Sequence, residues 1–427
     1  MATLIRKRWT ASFEGMGRRD RQGCDYSAYV PDPIAGWDLL LPADLAADIA
    51  DAETSIRRLN ASDAPALNLE GIARFLLRAE SVASSKIEGL DAGPRRLLEA
   101  EAALTEDGDV NDRVAVEVLG NIAAMESAIA LGSATTRIAL HDLLAIHRTL
   151  MARSLTPGVG GVIRTTQNWI GGSHYNPCTA SFVPPPPDRI AALLDDLLVY
   201  MNGDHHPAAV QAAIAHAQFE TIHPFADGNG RTGRALIHVI LRRRGLAPRF
   251  VPPTSLVLAT WAVDYIAGLT SFRHLGKPNN QARSIGAQAW LRTFAAATRR
   301  ACTDAETYVE EINALDAKWR TRLGRVRASS AVDLLLRVLP GAPILTVDSA
   351  ARLIDRSVMR AGEAVNRLAD AGILRQRDTA RQRYRVFEAD DVVRLFTGLD
   401  RMLASPTGDT AAVPPVRAVP WRPLKGR

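Results

Sequence analysis

The segment HPFADGNGRTGR, which runs from His223 to Arg234, contains residue types that together can bind a phosphate group and react with it. The imidazole of His223 titrates near neutral pH in its free form, so it can take a proton from a hydroxyl nucleophile. Asp227 supplies a hard carboxylate oxygen, which is the ligand type that magnesium prefers. The segment therefore holds a candidate base and a candidate metal ligand within one short loop.

Glycine and arginine residues in the second half of the segment favour an anion-binding site. Gly228 and Gly230 flank Asn229 just before the start of a predicted helix. Consecutive exposed N–H groups at a helix N-terminus form a nest for anions, and glycine permits the backbone angles that a nest needs. Arg231 and Arg234 are three residues apart, so helical geometry puts both guanidinium groups on the face beside the nest. Two guanidinium groups next to a nest suit a polyphosphate.

The residues from Gly228 to Gly233 also spell G-x-G-x-x-G, the dinucleotide-binding fingerprint, but their context excludes that interpretation. The fingerprint follows a strand, whereas AAIAHAQFETI before the loop has the pattern of a helix. It also requires an acidic residue about 20 positions further on, and no Asp or Glu lies between Gly228 and Asp264. A P-loop is excluded as well, because no Gly-Lys-Ser/Thr follows the glycines.

Two further interpretations of the region carry less weight. His216, Glu220 and His223 share one helix face at i, i+4 and i+7 and could bind a metal, but their order is not H-E-x-x-H. The segment could also be a capping loop between two helices, with its charged groups on the surface. That explanation fits any single residue but not a base, a carboxylate, a nest and two arginines together.

The segment resembles the signature of the Fic family, H-P-F-x-[D/E]-G-N-G-R-x-x-R, and matches it at every defined position. The resemblance implies a helical core that transfers AMP from ATP to a Ser, Thr or Tyr hydroxyl of a target protein and of the enzyme itself. Glycine at position 230 resembles the AMP-transferring branch of the family, since the phosphate-transferring branch carries lysine there. The chemistry needs positioning and charge stabilisation more than a nucleophile from the protein.

The resemblance also implies a role for most residues of the loop. His223 would be the general base and Asp227 would bind Mg²⁺. The nucleotide-binding residues would be Phe225 as a buried anchor, Gly228, Asn229 and Gly230 at the α- and β-phosphates, Arg231 supporting the phosphates, and Arg234 at the γ-phosphate.

A second motif, SSKIEGL from Ser84 to Leu90, predicts an inhibitory contact. Glu88 would lie at the C-terminal end of a helix, where the helix dipole disfavours a negative charge, and Gly89 is a plausible C-cap. Exposed glutamates are nevertheless common at helix ends. Beside the loop, Ser84, Glu88 and Gly89 resemble the family's inhibitory signature, [S/T]-x-x-x-E-[G/N]. That resemblance implies an ion pair that keeps Arg234 from the γ-phosphate; alternatively, Glu88 activates water for AMP removal.

Composition and periodicity indicate a mainly α-helical protein with two or three domains. The chain has 427 residues, of which 47% are hydrophobic and only 6% aromatic, a composition that favours helices. Changes in pattern predict an N-terminal arm at 1–35, a helical region with the inhibitory helix at 36–110, a Fic catalytic core at 111–327, a winged helix-turn-helix at 328–400 and a disordered tail at 401–427.

Two non-helical segments are predicted before the catalytic loop. The first 35 residues have no clear periodicity and are expected to be an irregular arm. GVIRTTQNWIGGSHYNPCTASFVPPPP predicts a β-hairpin that resembles the family's flap, whose edge can align an extended target segment. Trp169, Ile170 and Phe182 are candidate clamps, although Trp169 and Phe182 fit core positions better.

The region from Ala331 onward predicts three helices and two short strands, the pattern of a winged helix-turn-helix. In its recognition helix, SVMRAGEAVNRLADAG, the expected core residues are Val358, Ala361, Val365 and Leu368, and the expected groove-facing residues are Arg360, Asn366 and Arg367. Wing arginines that suit phosphate contacts are Arg375, Arg377, Arg381, Arg383 and Arg385. Such a module would bind DNA, but a protein-docking or dimerisation module explains the same pattern, and a homodimer is left open.

Net charge, cysteines and hydropathy limit the hypotheses about partners and localisation. The net charge of +6 permits nucleic-acid contact without establishing it. Cys24, Cys178 and Cys302 are widely spaced and are expected to be free thiols in a reducing cytoplasm. No apolar stretch is expected to span a bilayer, and no signal core follows the basic N-terminus. The expectation is a cytoplasmic protein without a membrane partner.

The sequence thus predicts an autoinhibited enzyme that uses ATP and Mg²⁺ and acts on a protein hydroxyl. A competing hypothesis is a DNA-binding transcriptional regulator whose Fic domain only senses nucleotide. His223 favours the enzyme, since nucleotide binding alone does not need a base.

Overall fold

The computed structural model describes residues 1–13, 15, 17–61, 69–105, 111–134, 137–277, 281–377 and 385–403. Within these residues the chain is mainly helical, with one two-stranded and one three-stranded sheet. The predicted mainly α-helical fold is therefore confirmed. Residues 404–427 of the predicted disordered tail lie outside the described part of the chain.

The elements follow one another from the N-terminus to the C-terminus without an internal repeat. The helices are α1 (Arg18–Arg21), α2 (Ala43–Ala61), α3 (Leu69–Ile87), α4 (Pro94–Thr105), α5 (Arg113–Ala134), α6 (Leu140–Met151), α7 (Pro187–Asn202), α8 (Ala208–Ile222), α9 (Asn229–Arg243), α10 (Thr254–Thr260), α11 (Ala262–Phe272), α12 (Gln281–Leu323), α13 (Ala331–Val338), α14 (Val347–Ile354), α15 (Val358–Asp370) and α16 (Asp390–Leu403). The strands are β1 (Thr3–Trp9), β2 (Cys24–Val30), β3 (Ile344–Thr346), β4 (Arg375–Gln376) and β5 (Val386–Glu388).

Helix α8 lies at the centre of the larger hydrophobic core. All of its residues are buried, and many of them are alanines that let neighbouring helices approach closely. Helix α9 packs directly against it at Gly233, where an added Cβ would collide with Glu220 and crowd Phe219. The polar residues of α8 are therefore enclosed by protein. A buried acid or imidazole in such a place needs either a partner or a function.

Helix α5 corrects the expectation that no apolar stretch could span a membrane. Its 22 residues are long and apolar enough to do so by length and composition. However, half of the apolar window is buried, and α5 packs against α3, α6 and α9. This packing is that of a core helix in a helical bundle.

The N-terminal segment is more ordered than predicted. Strands β1 and β2 pair antiparallel along their full length, with Thr3 opposite Val30 and Trp9 opposite Cys24. The prediction of an irregular arm was wrong here because β1, TLIRKRW, carries three cations and is mostly exposed, so it lacks apolar alternation. We refer to β1 and β2 together as the N-terminal ribbon.

A disulfide bond joins the N-terminal ribbon to the segment that precedes α7. Cys24 of β2 is bonded to Cys178, and Cys302 is the buried free cysteine. The prediction of three free thiols was therefore wrong for two of them. The partners are 154 residues apart in sequence, and without a short cysteine spacing the sequence gave no sign of the bond.

The predicted flap hairpin is reduced to a single antiparallel bridge between Ile170 and Phe182. Gly171 and Gly172 follow with φ angles of +74° and +76°, which turn the chain away from a regular ladder. The segment instead bonds to the ribbon: Tyr29 N–H donates to the carbonyl of Val183 at 2.9 Å. We call residues 163–183 the flap segment.

The region after α12 forms a second, smaller hydrophobic core. Helices α13, α14 and α15 pack on a sheet with strand order β3-β5-β4. The two predicted strands are present as β4 and β5, whereas β3 was not predicted. We call residues 331–403 the C-terminal module.

The predicted buried face of helix α15 is confirmed except at one residue. Ala361, Val365 and Leu368 are buried as predicted, but Val358 is 53% exposed. The reason is positional: Val358 is the first residue of the helix, directly after the N-cap Ser357, where no element packs over it. The three predicted groove residues, Arg360, Asn366 and Arg367, are exposed.

Candidate active site

The loop between α8 and α9 is shaped by two residues with left-handed backbone angles. His223 has φ +50° and caps the C-terminus of α8, with its N–H donating to the carbonyl of Phe219 at 2.8 Å. Gly228 has φ +73° and is the N-cap of α9. A non-glycine residue in this conformation is uncommon and marks a constrained position. The two turns place the imidazole and the first turn of α9 at opposite ends of one loop.

Phe225 anchors the loop in the core, as the resemblance implied. Its ring is buried and stacks on the ring of His147 from α6, with centroids 3.6 Å apart and an interplanar angle of 8°. The side chain of Asn229 accepts a hydrogen bond from the N–H of Phe225 at 2.8 Å and donates to its carbonyl at 2.9 Å. The amide group of Asn229 is therefore occupied in holding the loop, and the residue's position in the first turn of α9 directs its N–H outward.

Asp227 and Arg231 lie beside the start of α9. One oxygen of Asp227 accepts the N–H of Gly228 at 2.6 Å, and the side chain is 58% exposed. Arg231 is almost fully buried, with Asp227 and Glu117 oxygens 3.8 and 3.9 Å from its guanidinium. Its Nε and Nη1 groups have no hydrogen-bond partner among the described residues. Buried, unsatisfied guanidinium donors next to a helix N-terminus fit an anionic ligand.

Arg234 is fully buried and is held by the end of α3. Its Nε donates to Oγ of Ser84 at 2.8 Å, and Nη2 donates to the Ser84 carbonyl and to Oε1 of Glu88, each at 2.7 Å. Its Nη1 group approaches the hydroxyl of Tyr265 at 3.4 Å. The ion pair implied by the resemblance is thus present.

The carboxylate of Glu88 lies at the start of α9. An added Cβ at Gly230 would collide with its Oε1 atom, so the carboxylate lies directly against the glycine. Burial opposes its ionisation, yet the charge and hydrogen bond of Arg234 and the charge of Arg231 hold the pKa of Glu88 below its usual range. Gly89 has φ +80°, and the N–H of Leu90 donates to the Ser85 carbonyl, as expected where a helix ends at glycine.

A second buried contact fixes α3 against α9. Nε2 of His238 lies 2.9 Å from Oε1 of Glu80, and the same carboxylate accepts the N–H and hydroxyl of Ser255. Both side chains are buried. Helix α3 and the turn after it are therefore attached to α9 at two levels, through Glu80 and through Ser84 and Glu88.

The surroundings of His223 keep its imidazole neutral. Burial is the main cause, and with the positive charge of Arg164 it lowers the pKa of His223 to about 4, while Glu88 opposes the shift. Arg164, at the start of the flap segment, donates from Nε to the His223 carbonyl at 2.8 Å. This hydrogen bond joins the flap segment to the loop between α8 and α9.

Glu220 lies one turn before His223 on α8. Its Oε2 is 3.9 Å from Nδ1 of His223. Burial raises the pKa of Glu220 to about 7, with the charge of Glu88 acting in the same direction and Arg234 opposing it. Across the described residues, no cluster of three or more His, Cys, Asp or Glu side chains is arranged to hold a metal. The zinc interpretation of the α8 acid and imidazoles therefore has no support.

Sequence reasoning missed three side chains that contact the loop. They are His147, which stacks on Phe225 and bonds to the Asp227 carbonyl, Arg164, which holds the His223 carbonyl, and Tyr265, which faces Arg234. None of them lies in the motif, and each comes from a different element. Only their shared contacts in three dimensions identify them.

A separate basic surface lies on the C-terminal module. A cavity of about 1010 Å³ is lined by Arg325, Arg327, Arg356, Arg360, Glu363 and Arg367. Arg367 is partly engaged there, since its Nη2 donates to the carbonyls of Leu323 and Arg325.

The wing arginines are placed differently from the prediction. Arg375 pairs with Asp390 at 3.2 Å, and Arg377 pairs with Glu99 and Glu388 at 2.6 and 3.1 Å. The guanidinium of Arg385 lies over the Phe387 ring, 5.3 Å from its centroid. Arg381 and Arg383 lie outside the described residues. The described wing cations therefore contact protein groups, whereas several arginines line the cavity beside α15.

Comparison with known families agrees with the motifs. A family model described as Fic/DOC family matches residues 137–241, and one described as Fic/DOC family N-terminal matches residues 46–130. The first match contains α8, the whole loop and α9 up to Leu241, and the second contains Ser84, Glu88 and Gly89. Both motifs therefore fall inside the matched regions.

Curated relatives match a shorter stretch. Protein adenylyltransferase Fic of Drosophila virilis is 36% identical over 140 residues, which cover 32% of this chain and 27% of that protein. Protein adenylyltransferase Fic of Drosophila melanogaster is 34% identical over 140 residues, which cover 32% of this chain and 26% of that protein. The chain thus spans only about a quarter of the length of these relatives.

A solved structure extends the likeness of the fold. The crystal structure of a Fic family protein from Desulfovibrio desulfuricans G20 aligns with a TM-score of 0.50 and 24% identity, over 82% of this chain and 97% of that chain. At that identity the likeness shows the fold alone. Residues 137–241 therefore match the Fic/DOC family and residues 46–130 match its N-terminal family, and the intact loop motif agrees with both matches.

Proposed function

We propose that the protein transfers AMP from ATP to a Ser, Thr or Tyr hydroxyl of a target protein, and to itself. The observation that carries the proposal is the arrangement at the start of α9: a neutral imidazole, a glycine-rich helix N-terminus and a buried guanidinium with unsatisfied donors meet in one loop. The name of the Drosophila relatives, protein adenylyltransferase, agrees with this chemistry.

In the proposed reaction, His223 accepts the proton of the target hydroxyl as the oxygen attacks the α-phosphorus of ATP. The bond from the α-phosphorus to the bridging oxygen breaks, and pyrophosphate leaves with its electron pair. Backbone N–H groups of Gly228, Asn229 and Gly230 and the guanidinium of Arg231 would stabilise the phosphate charge. Arg234 would meet the γ-phosphate.

Asp227 fits the proposed magnesium site. Its carboxylate is exposed at the loop, beside the helix N-terminus that would hold the phosphates, and only one of its oxygens is used by a backbone N–H. Carboxylate oxygen is the donor that magnesium prefers in phosphate sites. When bound, the ion would neutralise phosphate charge.

Incubation of the purified chain with Mg²⁺ and ATP labelled at the α-phosphate tests AMP transfer. We expect covalent label on the protein and its loss, by a factor of at least 10²–10³, in His223→Ala. His205→Ala, which changes an exposed histidine away from the loop, is the matched control. Label that persists in His223→Ala would remove the proposed role of this residue.

We further propose that Glu88 inhibits the enzyme. Its carboxylate occupies the anion position against Gly230 and ties up Arg234, so the γ-phosphate could not reach that guanidinium. Supporting this, Arg234 contacts Ser84 and Glu88 through three of its hydrogen bonds. The same carboxylate could instead activate water for AMP removal, and the experiment below separates the two roles.

The variant Glu88→Gly tests inhibition and AMP removal together. Inhibition predicts a rise of AMP incorporation by an order of magnitude or more at equal enzyme concentration. Removal of AMP predicts in addition that wild-type enzyme strips label from pre-labelled Glu88→Gly protein. Equal incorporation by wild type and variant would exclude inhibition. Lys86→Gly, two residues earlier and outside the Arg234 contact, controls for effects of glycine at the end of α3.

We propose for the C-terminal module a winged-helix architecture that binds double-stranded DNA. Three helices and a three-stranded sheet agree with that architecture, and the arginine cavity beside α15 supplies cations for phosphate contact. A mobility-shift titration with random 30-base-pair duplex at low salt would test it. Arg360→Ala combined with Arg356→Ala should weaken binding at least tenfold, while Arg57→Ala on α2 should not. No shift at 50 mM salt would exclude DNA and leave protein docking.

A further inference from the structure

Two buried polar atoms beneath the loop between α8 and α9, Nδ1 of His223 and Oε1 of Glu220, lack a hydrogen bond of normal geometry among the described residues. Oε1 lies against Gly233, and the backbone carbonyl of Glu220 also lies near the imidazole. The other carboxylate oxygen of Glu220 is 3.9 Å from the same Nδ1 atom. Buried polar atoms are usually paired, and an unpaired one requires an explanation.

We propose that Glu220 is a positioning residue for His223: its carboxylate accepts a hydrogen bond from Nδ1–H, leaves Nε2 as the basic nitrogen and stabilises the imidazolium formed during transfer. This inference rests on the proposed AMP transfer, and it adds to it a residue outside the loop motif. Hydrogen bonds in catalytic sites are commonly long in the resting enzyme and shorten when substrate binds. A side-chain movement of about 1 Å would bring the pair within hydrogen-bond distance.

The helix supplies the geometry for this pairing. Glu220 is in the last turn of α8 and His223 is its C-cap, and the left-handed backbone of His223 leaves the two side chains close to each other. Gly233 of α9 packs over the carboxylate so closely that any side chain there would collide with Oε1. The carboxylate is therefore confined between two helices, and its path toward the imidazole is one of the few movements left to it.

The need for a carboxylate follows from the burial of the imidazole. Burial, with the charges of Arg164 and Arg273, lowers the pKa of His223 to about 4, so the ring is neutral at pH 7 but a weak base. A base works best when its pKa is close to the working pH. An ionised carboxylate at Nδ1 raises the basicity of Nε2, as in other acid–imidazole pairs.

Several charged or titratable groups act on Glu220 from the elements packed around it. They are His223 at the C-cap of α8, Arg234 on α9, Tyr265 on α11, Arg273 after α11, and Glu88 after α3; His216 on α8 lies against the same glycine, Gly233. Glu88 disfavours ionisation of Glu220, while Arg234 and Arg273 favour it. Withdrawal of Glu88 would therefore remove a like charge and favour the ionised form of Glu220 in the uninhibited enzyme.

The proton balance of the step is simple. The target hydroxyl gives its proton to Nε2 of His223 while its oxygen forms the bond to the α-phosphorus. The imidazolium then carries protons on both nitrogens, and the ionised carboxylate of Glu220 accepts the hydrogen bond from Nδ1–H. After pyrophosphate leaves, Nε2 returns its proton to solvent.

The first test follows His223 directly and does not require activity. The ring carbon between the two nitrogens, labelled with ¹³C, is titrated by NMR in Glu88→Gly and in Glu88→Gly with Glu220→Gln. We expect the titration of His223 to move down by about one pH unit or more when the carboxylate is replaced by its neutral isostere. Glu126→Gln, on α5 near Arg74 and Arg78, is the control and should leave the titration unchanged.

The second test measures the reaction in the same variants. Glu220→Gln should lower kcat for AMP incorporation about 10- to 100-fold, move the pH–rate profile, and leave KM for ATP within about twofold. Glu220→Asp should recover part of kcat, since it restores the charge at a longer distance. If Glu88→Gly incorporates no AMP, the proposed transfer fails, and the NMR titration still decides the pairing.

Three results would overturn the proposal. One is an unchanged His223 titration in folded Glu220→Gln, which would mean that the nearby backbone carbonyl of Glu220 serves Nδ1 instead. Another is an unchanged kcat despite a shifted titration. The third is a rise in KM for ATP with constant kcat, which would mean that Glu220 affects ATP binding through Arg234 and does not position His223.

Discussion

Arg234 is the residue for which an anionic ligand and the inhibitory segment would compete. It is buried, and burial opposes its charge, but the carboxylates of Glu88 and Glu220 and the hydroxyl of Tyr265 raise its pKa above the usual range. Because the guanidinium of Arg234 is shielded from solvent, its N–H groups need hydrogen-bond acceptors from the protein or from a ligand. The γ-phosphate would therefore have to replace the acceptors supplied by Ser84 and Glu88.

Ser84 should share the inhibitory role with Glu88. Ser84→Ala removes the hydroxyl that accepts from Nε of Arg234 but leaves the backbone carbonyl and the Glu88 pair in place. Loss of one charge-assisted hydrogen bond corresponds to about 1.5–3 kcal/mol, so AMP incorporation should rise to a level between wild type and Glu88→Gly. The measurement is label incorporated per minute at fixed ATP.

Ser85 provides a neighbouring control for that prediction. It is equally buried, but its hydroxyl donates to the Ser81 carbonyl and accepts from Asn121. Ser85→Ala should lower stability without changing the rate of labelling. Equal rates for Ser84→Ala and wild type would show that Glu88 alone restrains Arg234.

Glu220 should make the protein less stable as the pH rises toward 8. Its pKa in the folded protein is raised to about 7, above the ordinary 4.5. Between these values the folded chain keeps a proton that the unfolded chain has lost, so the free energy of unfolding falls as pH increases through this window. The effect is on the order of 2–3 kcal/mol, fully developed above pH 7. Glu220→Gln lacks this group and should gain stability relative to wild type between pH 5 and pH 8.

Urea unfolding of both proteins at pH 5 and pH 8 measures this difference. Other groups titrate equally in both chains, so the comparison isolates Glu220. Parallel pH dependence in the two proteins would mean that the carboxylate is already ionised at pH 5.

Among the elements, the N-terminal ribbon and the flap segment behave as one unit. Besides the disulfide, Ser173 donates to Asp20 at 2.7 Å, and the side-chain amide of Asn176 donates to two backbone carbonyls, those of Arg19 and Asp20. Trp9 also meets Trp169 edge to face, with ring centroids 5.3 Å apart. These contacts make the ribbon part of the support for the flap segment.

The disulfide bond predicts how many cysteine thiols react before and after reduction. Denatured, unreduced protein should show one reactive thiol, that of Cys302, and fully reduced protein should show three. Closing a loop of 154 residues corresponds to about 5 kcal/mol in the chain-entropy account, so Cys24→Ser should lower the Tm by several degrees. Cys302→Ala is the control for the thiol count. Three reactive thiols before reduction would contradict the bond.

The elements differ in how far their sequence specifies them. The helix Leu69–Ile87 and its glycine C-cap could be predicted because apolar spacing and glycine act locally. The N-terminal ribbon could not, since β1 is largely exposed and its pairing with β2 leaves no apolar alternation. The loop motif likewise identifies His223, Asp227 and the arginines, whereas Arg164 and His147 reach the loop only through tertiary packing.

At the scale of the whole molecule, the C-terminal module packs on α3 and α4, the helices before and after Glu88. Glu388 of β5 is fully buried and pairs with Arg95 of α4 at 2.6 Å and with Arg377 at 3.1 Å. Arg377 also reaches Glu99 of α4 at 2.6 Å. Helix α4 begins shortly after Glu88 in the chain. These ion pairs therefore fix the chain on the C-terminal side of Glu88.

Replacing this carboxylate should loosen α4. Glu388→Gln removes the buried anion that pairs with two partly exposed guanidinium groups, at a cost of about 1.5–3 kcal/mol. Hydrogen exchange at 94–105 should become faster, and AMP incorporation should rise above the wild-type level because the turn after α3 loses its support. Glu363→Gln, an exposed change on α15, is the control. Unaltered exchange in α4 would show that apolar contacts of Leu98 with Ile344 and Val393 suffice.

Helix α12 determines how the two hydrophobic cores are oriented. It runs for 43 residues, and it contributes Trp290 to the larger core and Trp319 to the smaller one. A continuous helix advances about 1.5 Å and turns about 100° per residue. The number of residues in α12 therefore sets the rotation of the arginine cavity relative to the loop between α8 and α9. Inserting a single alanine between Trp290 and Trp319 would rotate one core against the other by more than a quarter turn, whereas inserting a full heptad would nearly restore their alignment.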